Sequence, residues 1–134
     1  QISLPIDFKC NNSFNNEGNI IEKDIILGIE KNYMGLDIGK RTVKLFLEKL
    51  EDYDIIFWNG PMGVFEFSNF ENGSKSIMNY LAESNKTVII GGGDTSSCCE
   101  KYNLTNKMTH VSTGGGASLE LLEGKELPGI KFIK

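Results

Sequence analysis

The sequence has few of the residues that characterise secreted, zinc-binding or membrane proteins. Its three cysteines, Cys10, Cys98 and Cys99, include no Cys-x-x-Cys spacing, so they form neither a disulfide framework nor a structural zinc site. This cysteine usage favours a reducing cytoplasm. No apolar run approaches the roughly 18–20 residues that cross a bilayer, and residues 1–7 lack the charged and apolar regions of a signal peptide. We therefore expect a cytoplasmic protein with no membrane partner.

Positive charge is also scarce. Lys and Arg total 14 against 18 Asp and Glu, which gives a formal net charge of −4. No run of Lys and Arg forms the basic patch that nucleic-acid binders present, so we expect no nucleic-acid partner. The chain begins with Gln1 rather than Met, and we interpret it as processed or as part of something longer.

The sequence does contain apolar segments separated by glycine-rich breaks. Its 134 residues, 40% of them hydrophobic, suffice for one core, because a chain of this length buries roughly 68% of its unfolded surface. Continuous or alternating apolar runs predict strands, and apolar spacings of three and four predict helices. The predicted strands are residues 2–8, 20–29, 54–58, 87–90 and 108–111, the predicted helices are residues 40–51, 74–84, 96–102 and 117–123, and residues 10–19 are a polar surface loop.

This order of elements predicts an α/β fold. Short apolar strands that alternate with helices are typical of a parallel sheet covered on both faces. Right-handed crossovers between such strands give a doubly wound parallel sheet with helices on both faces, a Rossmann-like architecture. Ligands of these folds bind at the carboxyl ends of the strands, which is where the glycine-rich stretches of this sequence fall.

Two triple-glycine stretches, residues 91–93 and 114–116, are candidates for an anion site. Each follows a predicted strand and precedes a predicted helix. Glycines let backbone N–H groups approach an anion closely, and a helix N-terminus adds about half a positive charge. Asp94 follows the first stretch. A carboxylate there repels phosphate unless a cation lies between them, so the pattern indicates magnesium.

Simpler interpretations of the same residues stay open. A triple-glycine stretch in an α/β protein can be only a tight turn, and Asp94 can cap a helix at Ser96. Glu66 can be a solvated acid. His110 has no nucleophile motif nearby and is interpreted as structural, and the Cys98–Cys99 pair is expected to pack in its helix.

Two familiar nucleotide motifs are missing. The chain has no Gly-x-Gly-x-x-Gly fingerprint, which argues against a dinucleotide-dependent oxidoreductase. Residues 39–42 (GKRT) lack the glycine that a P-loop needs five residues earlier, where Met34 stands. A triphosphate site in this chain is therefore of another kind.

Three sequence blocks resemble phosphoglycerate kinase. They are residues 58–66 (WNGPMGVFE), residues 91–95 (GGGDT) and residues 111–125 (VSTGGGASLELLEGK). Residues 4–7 (LPID) and 34–39 (MGLDIG) fit the same family in the same order. The resemblance covers the whole chain and matches the C-terminal third of the family's sequence, with the Asn-rich residues 11–19 as the least similar part.

The resemblance implies that one group of residues contacts the base and ribose of a nucleotide. The adenine pocket would be lined by Met34, Gly35 and Leu36. Further nucleotide contacts would come from Asn59, Gly60, Met62 and Phe65, and Glu66 would accept hydrogen bonds from the ribose hydroxyls.

The resemblance also implies a second group of residues around the phosphates. Asp94 would hold the Mg²⁺ of the nucleotide, with Thr95 beside the phosphates. The backbone amides of Gly93 and Gly115 would face the transferring phosphoryl group and act as the catalytic donors.

The activity implied is reversible phosphoryl transfer between 1,3-bisphosphoglycerate and ADP, giving 3-phosphoglycerate and ATP in glycolysis, with Mg²⁺ as cofactor. Residues 1–134 would be the C-terminal part of the nucleotide-binding domain, a partial domain. The family holds the phosphoglycerates through an N-terminal domain that these residues do not include, so we expect the 134-residue chain to be inactive alone and its parent to be a monomer. The alternative hypothesis is a non-catalytic nucleotide-binding or structural α/β module.

Overall fold

The computed structural model describes residues 2–112. Within this range the chain forms six strands, three α-helices and two 3₁₀ turns. Their bounds are β1 (Asp7–Asn11), β2 (Ile21–Asp24), β3 (Met34–Ile38), α1 (Lys40–Leu50), β4 (Ile55–Asn59), a 3₁₀ turn (Ser68–Phe70), α2 (Asn72–Glu83), β5 (Thr87–Gly91), α3 (Gly93–Lys101), a second 3₁₀ turn (Thr105–Lys107) and β6 (His110–Ser112). None of the described helices is long and apolar enough to span a bilayer.

The described residues divide into two compact units. Unit 1 contains residues 2–53 and 61–80, and unit 2 contains residues 54–60 and the described residues from 81 onward. Helix α2 therefore begins in unit 1 and ends in unit 2.

Unit 1 is built on an antiparallel sheet with strand order β2-β1-β3. Strand β1 pairs with β2 through Asp7 opposite Asp24 and with β3 through Phe8 opposite Ile38, and its register against β3 shifts after Lys9. The sequence predicted strands at residues 2–8 and 20–29, where β1 and β2 are found, but it predicted neither their antiparallel pairing nor β3. Strand β3 (MGLDI) carries a glycine and an acid, so it does not show the apolar pattern that indicates a strand. Strand β2 (IEKD) is shorter than the predicted strand that contains it.

Strand β1 begins and ends later than the predicted strand at residues 2–8. Residues 2–4 are exposed, whereas Cys10 and Asn11, which were predicted to lie in the surface loop, are completely buried. Asn11 is buried because its amide is satisfied: Nδ2 donates to the carbonyl of Glu17 at 2.6 Å. A polar side chain with its hydrogen bonds made is tolerated inside a protein, and the sequence alone does not show where its partners lie.

Helix α1 confirms the helix predicted at residues 40–51, and a strand residue caps it. The buried carboxylate of Asp7 accepts the backbone N–H groups of Arg41 at 3.1 Å and Thr42 at 2.8 Å. A Cβ atom on Gly39 would lie 2.2 Å from Cγ of Asp7, so the glycine leaves the space that the carboxylate occupies. The Thr42 hydroxyl in turn accepts the N–H groups of Ile6 and Asp7, each at 3.0 Å.

Unit 2 is built on a parallel sheet with strand order β4-β5-β6, which confirms the α/β fold with a parallel sheet. Asn59 at the end of β4 lies opposite Gly91 at the end of β5, and Gly91 lies opposite Ser112. The buried apolar residues of this unit are Ile56, Trp58, Leu81, Val88, Ile90, Cys98, Cys99 and Met108.

Some predicted elements of unit 2 have different bounds in the structure. Helix α3 begins at Gly93 rather than at residue 96, because the Ser96 N–H already donates to the Gly92 carbonyl at 3.0 Å. Strand β6 covers residues 110–112 instead of 108–111. The helix predicted at residues 117–123 lies outside the described residues.

The cysteines pack in the interior, as predicted for the Cys98–Cys99 pair. Cys10, Cys98 and Cys99 are all buried. Burial raises the pKa of the Cys10 and Cys99 thiols above their ordinary value. A thiol with a raised pKa stays protonated at neutral pH and is a poor nucleophile.

Candidate functional site

Unit 2 brings five of the predicted site residues to the carboxyl edge of its parallel sheet. Asn59 and Gly60 end and follow β4, and β5 runs through Gly91 into α3, where Gly93, Asp94 and Thr95 occupy the first turn. Because β4 and β5 are adjacent and parallel, the two strand ends meet at one edge. This is the edge at which α/β folds bind their ligands.

Gly92 connects β5 to α3 in a conformation that requires glycine. Its φ angle is +90°, a region that residues with a Cβ rarely adopt. A Cβ atom at this position would also lie 2.7 Å from Oδ1 of Asn59. The glycine therefore permits both the backbone turn and the close approach of Asn59.

Thr95 ties the two strand ends together. Its side chain is buried, and its hydroxyl accepts the Gly60 N–H at 2.7 Å. The Gly60 carbonyl in turn accepts the indole N–H of Trp58 at 2.6 Å. Gly60 is thus held by one hydrogen bond at its N–H and another at its carbonyl. Because the Thr95 hydroxyl acts as the acceptor for Gly60, this bond does not use the hydroxyl's own hydrogen.

Gly93 and Asp94 are exposed at the start of α3. The residue that precedes the helix is Gly92, and no side chain caps this end. The simpler interpretation in which Asp94 caps a helix at Ser96 is therefore wrong: Ser96 lies inside α3, and its hydroxyl donates to the Gly93 carbonyl at 3.0 Å. An exposed carboxylate in the first helical turn is stabilised by the helix dipole.

The residues around Asp94 are suited to a magnesium ion that takes one ligand from the protein and most of its other ligands from a nucleotide. Among the described residues, no group of three or more His, Cys, Asp and Glu is placed to hold a metal ion. Mg²⁺ is usually held by one or two protein carboxylates together with phosphate oxygens and water. Asp94 supplies one such carboxylate.

Unit 1 holds six of the eight predicted base and ribose contacts, and the other two, Asn59 and Gly60, lie in unit 2. Met34 and Gly35 are exposed on β3, and Leu36 is buried beside them. The segment of residues 61–66 lies along β3, because Val64 donates its N–H to the Leu36 carbonyl at 2.8 Å. A Cβ atom on Gly63 would lie 2.6 Å from the Leu36 carbonyl oxygen, so this contact also needs a glycine.

The segment at residues 61–66 is also fixed to helix α2. The Met62 N–H donates at 2.9 Å to the hydroxyl of Ser74, which is completely buried. Phe65 is buried in unit 1 and Glu66 is exposed. The segment therefore presents the Glu66 carboxylate to solvent from a backbone that β3 and α2 both hold.

Asp37 is a central residue of this region that sequence reasoning missed. It is buried, and its carboxylate accepts the N–H groups of Ile38 and of Gly73, each at 2.9 Å. Burial raises the pKa of Asp37 to about 6, although these hydrogen bonds and the charge of Lys9 oppose the rise. The signal in the sequence that points to it is an acid between two apolar residues, Leu36 and Ile38.

Of the twelve predicted site residues, unit 1 holds Met34, Gly35, Leu36, Met62, Phe65 and Glu66. Unit 2 holds Asn59, Gly60, Gly93, Asp94 and Thr95. Gly115, the second predicted catalytic amide, lies outside the described residues.

Comparison with known proteins identifies a family that matches most of the chain. The family model described as phosphoglycerate kinase matches residues 1–125. Phosphoglycerate kinase of Drosophila melanogaster is 53% identical over 136 residues, covering 99% of this chain and 33% of the fly protein. The enzyme of Schistosoma mansoni is 48% identical over 132 residues, covering 96% of this chain and 32% of the fluke protein.

Solved structures agree. The phosphoglycerate kinase of Coxiella burnetii matches with a TM-score of 0.84 at 38% identity, covering 96% of this chain and 33% of that one. The enzyme of Pyrococcus horikoshii OT3 matches with a TM-score of 0.70 at 37% identity, covering 95% and 31%. The chain spans about a third of the length of the curated relatives it matches.

Proposed function

The chain belongs to the phosphoglycerate kinase family, and from that premise we propose that it supplies part of the magnesium–nucleotide site of a phosphoglycerate kinase. The reaction is reversible transfer of a phosphoryl group from 1,3-bisphosphoglycerate to ADP, giving 3-phosphoglycerate and ATP. Residues 1–134 correspond to the C-terminal part of the nucleotide-binding domain.

The observation that carries this proposal is the turn from β5 into α3. Gly92 and Gly93 bring bare backbone to the N-terminus of a nine-residue helix at the carboxyl edge of a parallel sheet. Backbone N–H groups at such a terminus bind phosphate. Asp94, exposed in the same turn, is in a position to hold Mg²⁺ on a bound nucleotide.

Unit 1 supplies the contacts to the base and ribose. Met34 and Gly35 offer an exposed thioether and bare backbone on β3, a surface suited to the flat apolar face of adenine. Of the other nucleotide contacts that the resemblance implies, Met62 and Phe65 also lie in unit 1, and Asn59 and Gly60 lie in unit 2. Glu66, an exposed carboxylate, accepts hydrogen bonds from the ribose hydroxyls.

The chemistry needs positioning and charge neutralisation rather than a protein nucleophile. In phosphoryl transfer, negative charge is spread over the equatorial oxygens of the moving group. The backbone amide of Gly93, in the first turn of α3, would donate to those oxygens as a preorganised group, and the resemblance assigns the same role to the Gly115 amide. When bound, Mg²⁺ neutralises nucleotide charge as a Lewis acid, and Asp94 orients it. His110 and the three cysteines have no role in this scheme.

Calorimetric titration with MgADP tests the nucleotide site. We expect the chain to bind MgADP and Asp94→Ala to weaken that binding about tenfold or more, a loss of at least about 1.4 kcal/mol. Glu100→Ala is the matched control, because Glu100 is an exposed acid at the other end of the same helix. Equal losses in the two variants would contradict the role of Asp94.

An activity assay tests the relation between this chain and the whole enzyme. The 134-residue chain spans about a third of its relatives, and by the resemblance it lacks the residues that hold the phosphoglycerates. We expect no 3-phosphoglycerate-dependent ATP turnover from the purified chain. Turnover at the rate of a full-length relative would contradict the proposal that these residues hold only part of the site.

A further inference from the structure

The polar loop at residues 12–18, here called the asparagine loop, is held by hydrogen bonds to one buried side chain. The buried Asn11 side chain donates to the carbonyls of Asn15 at 3.0 Å and Glu17 at 2.6 Å, and accepts the Asn12 N–H at 2.9 Å. Gly18 closes the loop with a φ angle of +117°. The buried Asn11 amide therefore holds the conformation of a segment whose composition alone predicts a solvated loop.

The asparagine loop is also fastened, by hydrogen bonds and a ring contact, to residues 67–69, a segment about fifty residues away in sequence. Oδ1 of Asn16 accepts the Asn69 N–H at 2.8 Å, and its Nδ2 donates to the Ser68 hydroxyl at 2.9 Å. The Asn69 side chain donates back to the Asn16 carbonyl at 2.8 Å. The Phe14 ring packs edge-on against Phe67 with a centroid distance of 5.2 Å. Both loop and segment belong to unit 1.

This fastened segment directly follows Glu66. Phe67 donates its N–H to the Val64 carbonyl at 3.0 Å, which closes a turn with Phe65 and Glu66 between the two bonded residues. Val64 is itself held on β3. The turn that contains Glu66 is thus hydrogen-bonded to β3 at its first residue, Val64. The asparagine loop holds Ser68 and Asn69, which come directly after the last residue of the turn.

We propose that Asn16 is a positioning residue for the Glu66 carboxylate, and that the asparagine loop thereby sets how well this surface recognises the two hydroxyls of a ribose. The inference rests on the proposed function of Glu66. The proposal gives Asn16 no contact with the nucleotide: its side chain accepts the Asn69 N–H and donates to the Ser68 hydroxyl, both shortly after Glu66. Preorganised backbone matters because a hydrogen bond to a charged acceptor depends on geometry.

The test compares ADP with 2′,3′-dideoxy-ADP, both with Mg²⁺, on four forms of the full chain: wild type, Asn16→Ala, Asn19→Ala and Glu66→Gln. Asn19 is the control, since it is exposed beside the loop and lies outside the Asn16 network. Wild type should prefer ADP, and Asn16→Ala should lower that preference roughly three- to tenfold, the range expected for a weakened hydrogen bond. Glu66→Gln should lower it further, and Asn19→Ala should retain it.

Hydrogen exchange at the Asn69 amide shows in the same samples whether the contact was lost, and we expect faster exchange in Asn16→Ala only. Faster exchange with an unchanged preference for ADP would overturn the inference and leave the proposed function standing. Wild-type binding with no preference for ADP over the dideoxy analogue would also overturn the inference. A wild-type chain that binds no MgADP would overturn the proposed function, and the inference with it.

Discussion

At the scale of single residues, Asp37 is an acid in an unusual environment. It accepts two backbone N–H groups in the interior of unit 1, one of them from Gly73 near the start of α2. Glycines make room for it on two sides: a Cβ atom on Gly63 or Gly73 would lie 2.5 or 2.3 Å from its Oδ1. The carboxylate therefore links β3 to the N-terminus of α2 by a hydrogen bond, and it lies close to Gly63 in the segment at residues 61–66.

The raised pKa of Asp37 predicts a pH effect on stability. Its pKa rises from 3.8 to about 6 in the folded chain, so the folded state holds the proton more tightly than the unfolded state. The stability this provides is present below about pH 4 and is lost as pH rises to 6, a total of about 3 kcal/mol. Asp37→Asn should remove this fall, as measured by denaturant unfolding at pH 4, 5, 6 and 7.

The control for that series is Asp52→Asn, because Asp52 is exposed. Its removal should leave the pH dependence of the unfolding free energy unchanged. If Asp37→Asn shows the same decline between pH 4 and 6 as the wild type, the raised pKa of Asp37 is not the cause.

Gly92 gives a second prediction at this scale. Gly92→Ala combines a positive φ angle with a 2.7 Å approach to Asn59, and should cost about 2–4 kcal/mol of unfolding free energy. Gly60→Ala is the matched control: its φ angle is +103° but its Cβ would meet nothing within 4 Å. It should cost only about 1–2 kcal/mol. Equal costs from denaturant titration would show that the contact with Asn59 is unimportant.

At the scale of elements, sequence patterns predicted those whose burial follows from apolar periodicity. Helices α1 and α2 and strands β4 and β5 were found to within two residues, because their apolar residues repeat at helical or strand spacing. The strand predicted at residues 20–29 is only four residues long, β2. Strand β3 was missed, since it buries Asp37 and exposes Met34 and Gly35. Such a strand is stabilised by hydrogen bonds between residues far apart in sequence, which local pattern does not contain.

The candidate site divides in the same way. The glycine-rich turn before α3 was predicted from strand and helix order. The roles of Gly35, Met62 and Glu66 came from family resemblance alone, because single exposed residues carry no periodic signal. Asp37, Ser74 and Asn16 were not predicted as part of the site, because each acts on backbone that only the folded chain brings near.

The Thr42 hydroxyl in the first turn of α1 gives a prediction at the element scale. Thr42→Val keeps the shape of the side chain but removes the hydroxyl that accepts the N–H groups of Ile6 and Asp7. Unsatisfied buried donors are costly, so the unfolding free energy should fall by about 2–4 kcal/mol. Thr42→Ser keeps the hydroxyl and should cost about 1 kcal/mol, the value of one methyl group. A Ser variant as unstable as the Val variant would show that the hydroxyl bonds contribute little.

At the scale of the whole molecule, the charge of the chain opposes its proposed ligand. The formal net charge is −4, and the nucleotide is itself an anion. Long-range attraction therefore does not bring the two together, and binding depends on local donors and on the metal. A chain of this charge should distinguish strongly between a nucleotide with Mg²⁺ and one without it.

Metal removal tests this expectation. We expect wild type to bind ADP in EDTA about tenfold more weakly than MgADP, a difference of about 1.4 kcal/mol. Asp94→Ala removes one source of repulsion and one proposed metal ligand, so its two affinities should converge. Calorimetry in both buffers gives the two ratios. An identical ratio in wild type and Asp94→Ala would show that magnesium acts elsewhere.

The two buried acids of unit 1 also constrain how the sequence can vary. Asp7 faces Gly39, and a Cβ atom on Gly39 would lie 2.2 Å from Cγ of Asp7. Asp37 faces Gly73, and a Cβ atom on Gly73 would lie 2.3 Å from Oδ1 of Asp37. A larger residue at either glycine needs the facing acid to be replaced, and at Gly73 it also needs Ile38 to shift, because an added Cβ would lie 2.6 Å from its Cγ1. Each acid and its glycine should therefore be exchanged together in related chains, and double substitutions there should be less harmful than the sum of the single ones.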